Sequence, residues 1–131
     1  MRNNISVWPD NKLKQTHKTL KAINSKRNIM ARQHGTKRDG SSFGESTVTA
    51  VWDKGTVVAG RDAAEYRKDS CGAIIRRASY GTLGDFGWEI DHDKPVAKNG
   101  SDDLSNLQPL HWENNRHKSD DYPNWSCKKK S

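Results

Sequence analysis

The sequence predicts an α+β protein: one small domain of short strands and a closing helix, behind a basic N-terminal arm that is partly disordered or helical. Three observations lead there. The chain has 131 residues, is 31% hydrophobic and has a mean hydropathy of −1.07, which supports one small core and no more. The formal net charge is +7, and all of it sits at one end: residues 1–45 carry ten Lys/Arg against three acids, and residues 46–131 carry thirteen of each sign. Short β-branched runs separated by glycine turns then give way to a stretch without helix breakers.

Taken in order, the arm runs to about residue 45. Within it Leu13, Leu20, Ile23 and Met30 are loosely helical in spacing, and Pro9-Asp10 suits a helix start. Such a thin stripe is marginal without a partner. Residues 35–44 are polar and glycine-rich and read as a linker. The domain then spans residues 46–131. Residues 47–52 (Thr-Val-Thr-Ala-Val-Trp) and 56–59 read as short strands around a turn at 53–55. Asp62 suits the cap of a helical turn through residue 68. Residues 73–78 read as a strand with 88–92 as its hairpin partner, joined by a segment holding three glycines. Pro95 helps to end the second strand, and a loop follows through 99–103. Pro109 fits at or just before a helix start, with helix from His111 to Asp120. Trp88 and Trp112 read as core, and His111 and His117 as structural or surface groups.

Some classes are excluded. No apolar run approaches the ~20 residues that cross a bilayer, so no membrane association is expected. The first residues lack the apolar stretch of a secretory signal. Cys71 and Cys127 make no Cys-x-x-Cys pair, so structural zinc is not expected, and the ordinary reading is two free thiols in a reducing, cytoplasmic setting. The basic arm suggests a polyanionic partner, most simply nucleic acid.

The chemistry concentrates late in the chain. Asp91-His92 is followed after thirteen residues by Asn106 and after eight more by Asn115. Phosphodiester hydrolysis needs an activated water, neutralised phosphate charge and help for the leaving oxygen; a divalent ion supplies the last two. Asp91 is a hard oxygen ligand suited to Mg²⁺ or Mn²⁺, and the Asn115 amide oxygen offers a second ligand from the helix. His92 is the natural general base near neutral pH. Neighbours on a strand point to opposite faces, so Asp91 and His92 serve one site only where the strand ends or twists. Asn106 can tie the loop to the strand and so position His92, while Arg116 and Lys118 are placed for phosphates. Each residue alone has an ordinary structural reading, and the joint spacing carries the weight.

That spacing resembles the HNH endonucleases of the ββα-metal superfamily over roughly residues 48–120. The residues that carry the resemblance are Asp91-His92, Pro95, Asn99-Gly100, Asn106-Leu107-Gln108-Pro109-Leu110, Asn115 and Lys118. Residues 66–73 and Tyr80-Gly81 look like the segment before the motif in one group of small bacterial HNH proteins. The resemblance implies a metal-dependent nuclease with a small ββα-metal domain, in which His92 is the general base and Asp91 and Asn115 hold one divalent metal, Mg²⁺ first and Mn²⁺ second. It implies a positioning role for Asn106, and DNA, expected to be double-stranded, as substrate. Arg76, Arg77, Lys94, Arg116 and Lys118 are the candidate phosphate contacts. The sequence departs from the pattern in three places. Many relatives hold zinc with two Cys-x-x-Cys pairs; here the corresponding helix positions are His111 and Asn114, so packing is expected to hold the fold. The last residue of the motif is Asn115 and not His, and Asp93 stands where an apolar residue is common. The rival reading is a nucleic-acid-binding protein on an HNH scaffold that does not cleave.

Overall fold

The computed structural model describes residues 32–131, so the helical stripe read in the arm lies outside the described residues. The packed unit that carries the site is His34–Ser131. Residues 35–44, read as a linker, form a turn within this unit. Lys37 N–H donates to Ser41 O and Gly40 N–H to Lys37 O, with Gly40 at φ 87°, a left-handed value that glycine adopts without strain. This turn delivers Phe43 into the core.

Helix α1, Glu45–Trp52, stands where a strand was expected over 47–52. β-Branched residues lower helix propensity only slightly, and the tertiary pattern overrides it. Val48, Val51 and Trp52 recur at helical spacing and are the residues the helix buries. Full burial of apolar side chains of this size contributes about 1.5–3 kcal/mol each.

Three short strands follow: β1 (Thr56–Val57), β2 (Tyr66–Lys68) and β3 (Ile74–Arg76), antiparallel in the order β1-β2-β3. The helical turn expected after Asp62 stops early. Asp62 O accepts from Glu65 N and Tyr66 N, its carboxylate accepts from Ala64 N, and the chain then extends into β2. The strand expected over 73–78 ends at Arg76 and passes into a 3₁₀ turn, Arg77–Ser79.

The second sheet corrects the expected pairing. Strand β4 (Trp88–His92) pairs not with residues 73–78 but with β5 (Leu107–His111), in a register that sets Asp91 opposite Gln108 and His92 opposite Leu107. Pro109 lies inside β5, opposite Ile90, and does not start a helix. In a two-stranded ribbon one side of each strand is unpaired, so a residue without an N–H fits there. Helix α2 spans Trp112–Lys118. His111 caps it: its Nδ1 accepts from Glu113 N at 3.1 Å, while its Nε2–H donates to Asp85 O at 2.8 Å. The order is therefore strand, long loop, strand, helix.

Trp88 and Ile90 meet Phe43, Val48, Val51, Trp52, Ile75 and Leu107 in one core, with the Trp52 and Trp88 rings 5.3 Å apart. Trp112, expected in that core, is half-buried instead and donates its indole N–H to Gly84 O. Packing is not the only tie. Asp69, in the β2–β3 turn, accepts from Cys71 N and Ala73 N on one oxygen and from His111 N and the Asn114 amide on the other. Asn114 also accepts from Lys128 N and Lys129 N, which fastens the C-terminal segment to α2. Asp69, His111 and Asn114 are all buried. Cys71 and Cys127 are joined in a disulfide across 56 residues, which overturns the reading of two free thiols. The Asp69–Asn114 anchor brings the C-terminal segment to the β2–β3 turn, and the two cysteines meet there.

Candidate active site at the end of strand β4

The pleat of β4 sorts its side chains. Trp88, Ile90 and His92 face α1 and Phe43, whereas Glu89 and Asp91 face α2. Asn115 donates to Glu89 Oε1 at 2.8 Å and Arg116 to Glu89 Oε2 at 2.8 Å. Two residues on, Asp91 Oδ1 accepts from Lys118 Nζ at 3.2 Å and Oδ2 from Gln108 Nε2 at 2.9 Å. The Lys118 ammonium, 0% exposed, also donates to His92 O and Asp93 O, each at 3.0 Å. Burial pushes the Asp91 carboxyl up to about 6, and the charge of Lys118 with the hydrogen bonds from Gln108 and Lys118 offsets this only in part.

His92 lies on the other face at the last position of the strand. Its Nε2–H donates to Asp102 Oδ1 at 2.8 Å, and its ring stands 5.9 Å from that of Phe43. Asp91 and His92 thus leave β4 on opposite faces, and a common substrate must reach them over the end of the strand. Asn106 brackets the loop beyond that end. Its Oδ1 accepts from Lys94 N at 2.9 Å, and its Nδ2 donates to Lys94 O at 3.1 Å and Ser101 O at 2.9 Å. Gly100 lies so close to Lys94 that a Cβ would stand 1.6 Å from its carbonyl oxygen.

The candidate phosphate contacts divide. Lys94 is exposed beside His92. Arg116, Arg76 and Arg77 reach the surface but pair with Glu89, Glu65 and Glu45 respectively. Lys118 is a correction: its ammonium is buried against Asp91 and two carbonyls, so it does not face an incoming phosphate. A pocket of about 290 Å³ lined by Trp112, Glu113, Arg116, His117 and Lys128 opens on α2 and contains none of Asp91, His92, Asn106 or Asn115.

Sequence reasoning missed Glu89, Gln108, Asp102 and Arg38. Glu89 was legible from strand alternation, since it lies two residues before Asp91. Gln108 became a partner of Asp91 only through the β4–β5 register. Asp102 and Arg38 carried no spacing signal.

Among the described residues, no group of three or more His, Cys, Asp or Glu is placed to hold a metal ion. The two expected ligands have separate partners: the Asp91 carboxylate is held by Lys118 and Gln108, and the Asn115 amide by Glu89. Both offer hard oxygens, which suit a cation such as Mg²⁺.

Neither a curated protein nor a solved structure matches the chain. A family model does: residues 81–121, which hold β4, the loop, β5 and α2, match the HNH endonuclease family. Over that segment, about a third of the chain, the sequence is similar to the HNH endonuclease family.

Proposed function

We propose that the protein is a metal-dependent endonuclease that hydrolyses DNA phosphodiester bonds, with His92 as general base. The observation that supports this reading best is that Asp91 and His92 occupy the last two positions of β4, with Asn106 pinning the loop that follows them. Asp91 and Asn115 would hold the divalent ion, Mg²⁺ or alternatively Mn²⁺, which when bound neutralises phosphate charge and assists the leaving oxygen. His92 takes a proton from water. The water oxygen bonds to phosphorus, the bond to the leaving sugar oxygen breaks, and that oxygen gains a proton from solvent. Asn106 keeps Lys94 and the loop in place beside His92. Lys94 is the cation best exposed for the phosphate. The substrate is expected to be double-stranded DNA.

One observation favours the non-cleaving, DNA-binding reading: both Asp91 oxygens already accept hydrogen bonds, from Lys118 and Gln108. A plasmid assay separates the two. Supercoiled DNA is expected to be nicked or linearised with Mg²⁺ or Mn²⁺ and left intact with chelator. His92→Ala is expected to slow cleavage by about 10²-fold, the scale of general-base catalysis. Asp91→Ala is expected to weaken metal dependence instead. A folded protein that binds DNA but leaves it intact with every divalent metal tested would establish the binding reading. Cys71 and Cys127 are joined, so free thiols no longer support the expected cytoplasmic setting.

A further inference from the structure

We propose that Asp102 and Arg38 form a positioning relay for His92, and that residues ahead of the family-matched segment therefore belong to the functional unit. The inference rests on the reading of His92 as general base. Asp102 Oδ1 accepts the His92 Nε2–H at 2.8 Å and the backbone N–H of Arg38 at 3.0 Å, while Oδ2 lies 3.3 Å from the same Arg38 nitrogen. The Arg38 guanidinium crosses the loop to Gly100 O at 2.6 Å and to Asn99 Oδ1 at 3.4 Å. Asn106 holds the same loop through Lys94 and through Ser101, the residue before Asp102. Arg38 lies 64 residues from Asp102 in sequence and outside residues 81–121.

The chemistry of this arrangement is specific. A carboxylate can only accept, so the proton of neutral His92 stays on Nε2, toward Asp102. The hydrogen bond also selects one ring orientation, as acceptors behind a working imidazole do elsewhere. Phe43 packs beside the ring, with 5.9 Å between the centroids. Asp102 is 30% exposed, so its role is not to hold the core. Asp102 and Arg38 are positioning residues, since each acts through His92.

The test uses the full chain with ¹⁵N-labelled histidine, with His92 assigned by comparison with His92→Gln. The wild-type ring is expected to give the Nε2–H tautomer signature in metal-free protein. Asp102→Ala should shift His92 toward a tautomer mixture, leave the thermal midpoint within a few degrees, and lower kcat by about 10–100-fold at unchanged KM, the scale of losing a supporting partner. Arg38→Ala keeps the backbone N–H and removes the guanidinium, so it should lower kcat several-fold with a partial shift of the same signals. Identical His92 signals in wild type and Asp102→Ala would overturn the relay. Unchanged kcat and signals in Arg38→Ala would remove Arg38 from it. If no preparation cleaves DNA but the His92 signals respond as stated, the relay stands and the nuclease reading falls.

Discussion

Replacing Lys118 with Met keeps the length of the side chain and removes its charge and donors, at a site where the ammonium serves Asp91 Oδ1, His92 O and Asp93 O with no exposure to solvent. Removing one partner of a buried ion pair costs about 3–5 kcal/mol. In a unit of this size each kcal/mol moves the midpoint by about 4–8 °C, so a fall of more than about 10 °C is expected. The pH dependence is the sharper test. Burial already holds Asp91 at about 6, above its ordinary 3.8. A carboxyl raised in the folded state stabilises the fold while it is protonated, and that contribution is lost as pH rises through the folded value. Without Lys118 the Asp91 carboxyl moves higher still, so the loss extends to higher pH. The gap between variant and wild type should be wider at pH 8 than at pH 5, where the lost hydrogen bonds to His92 O and Asp93 O still contribute. Urea unfolding of both proteins at the two values measures it. A gap below about 1 kcal/mol at pH 8, or one that widens toward acid, would refute the account of Lys118 as the counter-charge of Asp91. A divalent cation bound at Asp91 should also narrow the gap at pH 8.

Two further outcomes are expected. Cys127→Ser opens a loop of 56 residues, for which chain entropy gives a loss of about 4 kcal/mol; Asn114 still anchors Lys128 and Lys129, so the fold should survive with a lower midpoint, measured by thermal unfolding with and without reductant. An unchanged midpoint would show that the disulfide is not formed in solution. Residues 1–33 carry eight Lys/Arg and one acid, which accounts for the whole +7, while residues 34–131 carry fifteen of each sign. Deleting 1–33 should weaken DNA binding and flatten its salt dependence, by about 0.9 in log–log slope for each phosphate that the arm neutralises, with cleavage at low salt and saturating DNA retained. Equal slopes for the two chains, measured without metal, would give the charge another partner.

The similarity to the HNH family, the α+β class and the order of the candidate site residues were legible in the sequence because they rest on short-range spacing. Asp91-His92, Asn106 and Asn115 occupy a segment whose local pattern is specific by itself. Alternation along β4 likewise determined that Asp91 and His92 diverge. What the sequence could not determine depended on pairing between distant segments. The run 47–52 became a helix because Val48, Val51 and Trp52 found one core to face. Residues 88–92 took 107–111 and not 73–78 as partner, which carried Pro109 into a strand and Gln108 onto Asp91. Lys118 changed from an expected phosphate contact to a buried counter-ion because the short helix α2 lies directly on β4. Cys71 and Cys127, Asp69 and Asn114, and Arg38 and Asp102 are 56, 45 and 64 residues apart. Spacing rules reach a few turns of helix or a hairpin; pairings at such separations exist only once the chain has closed around its core.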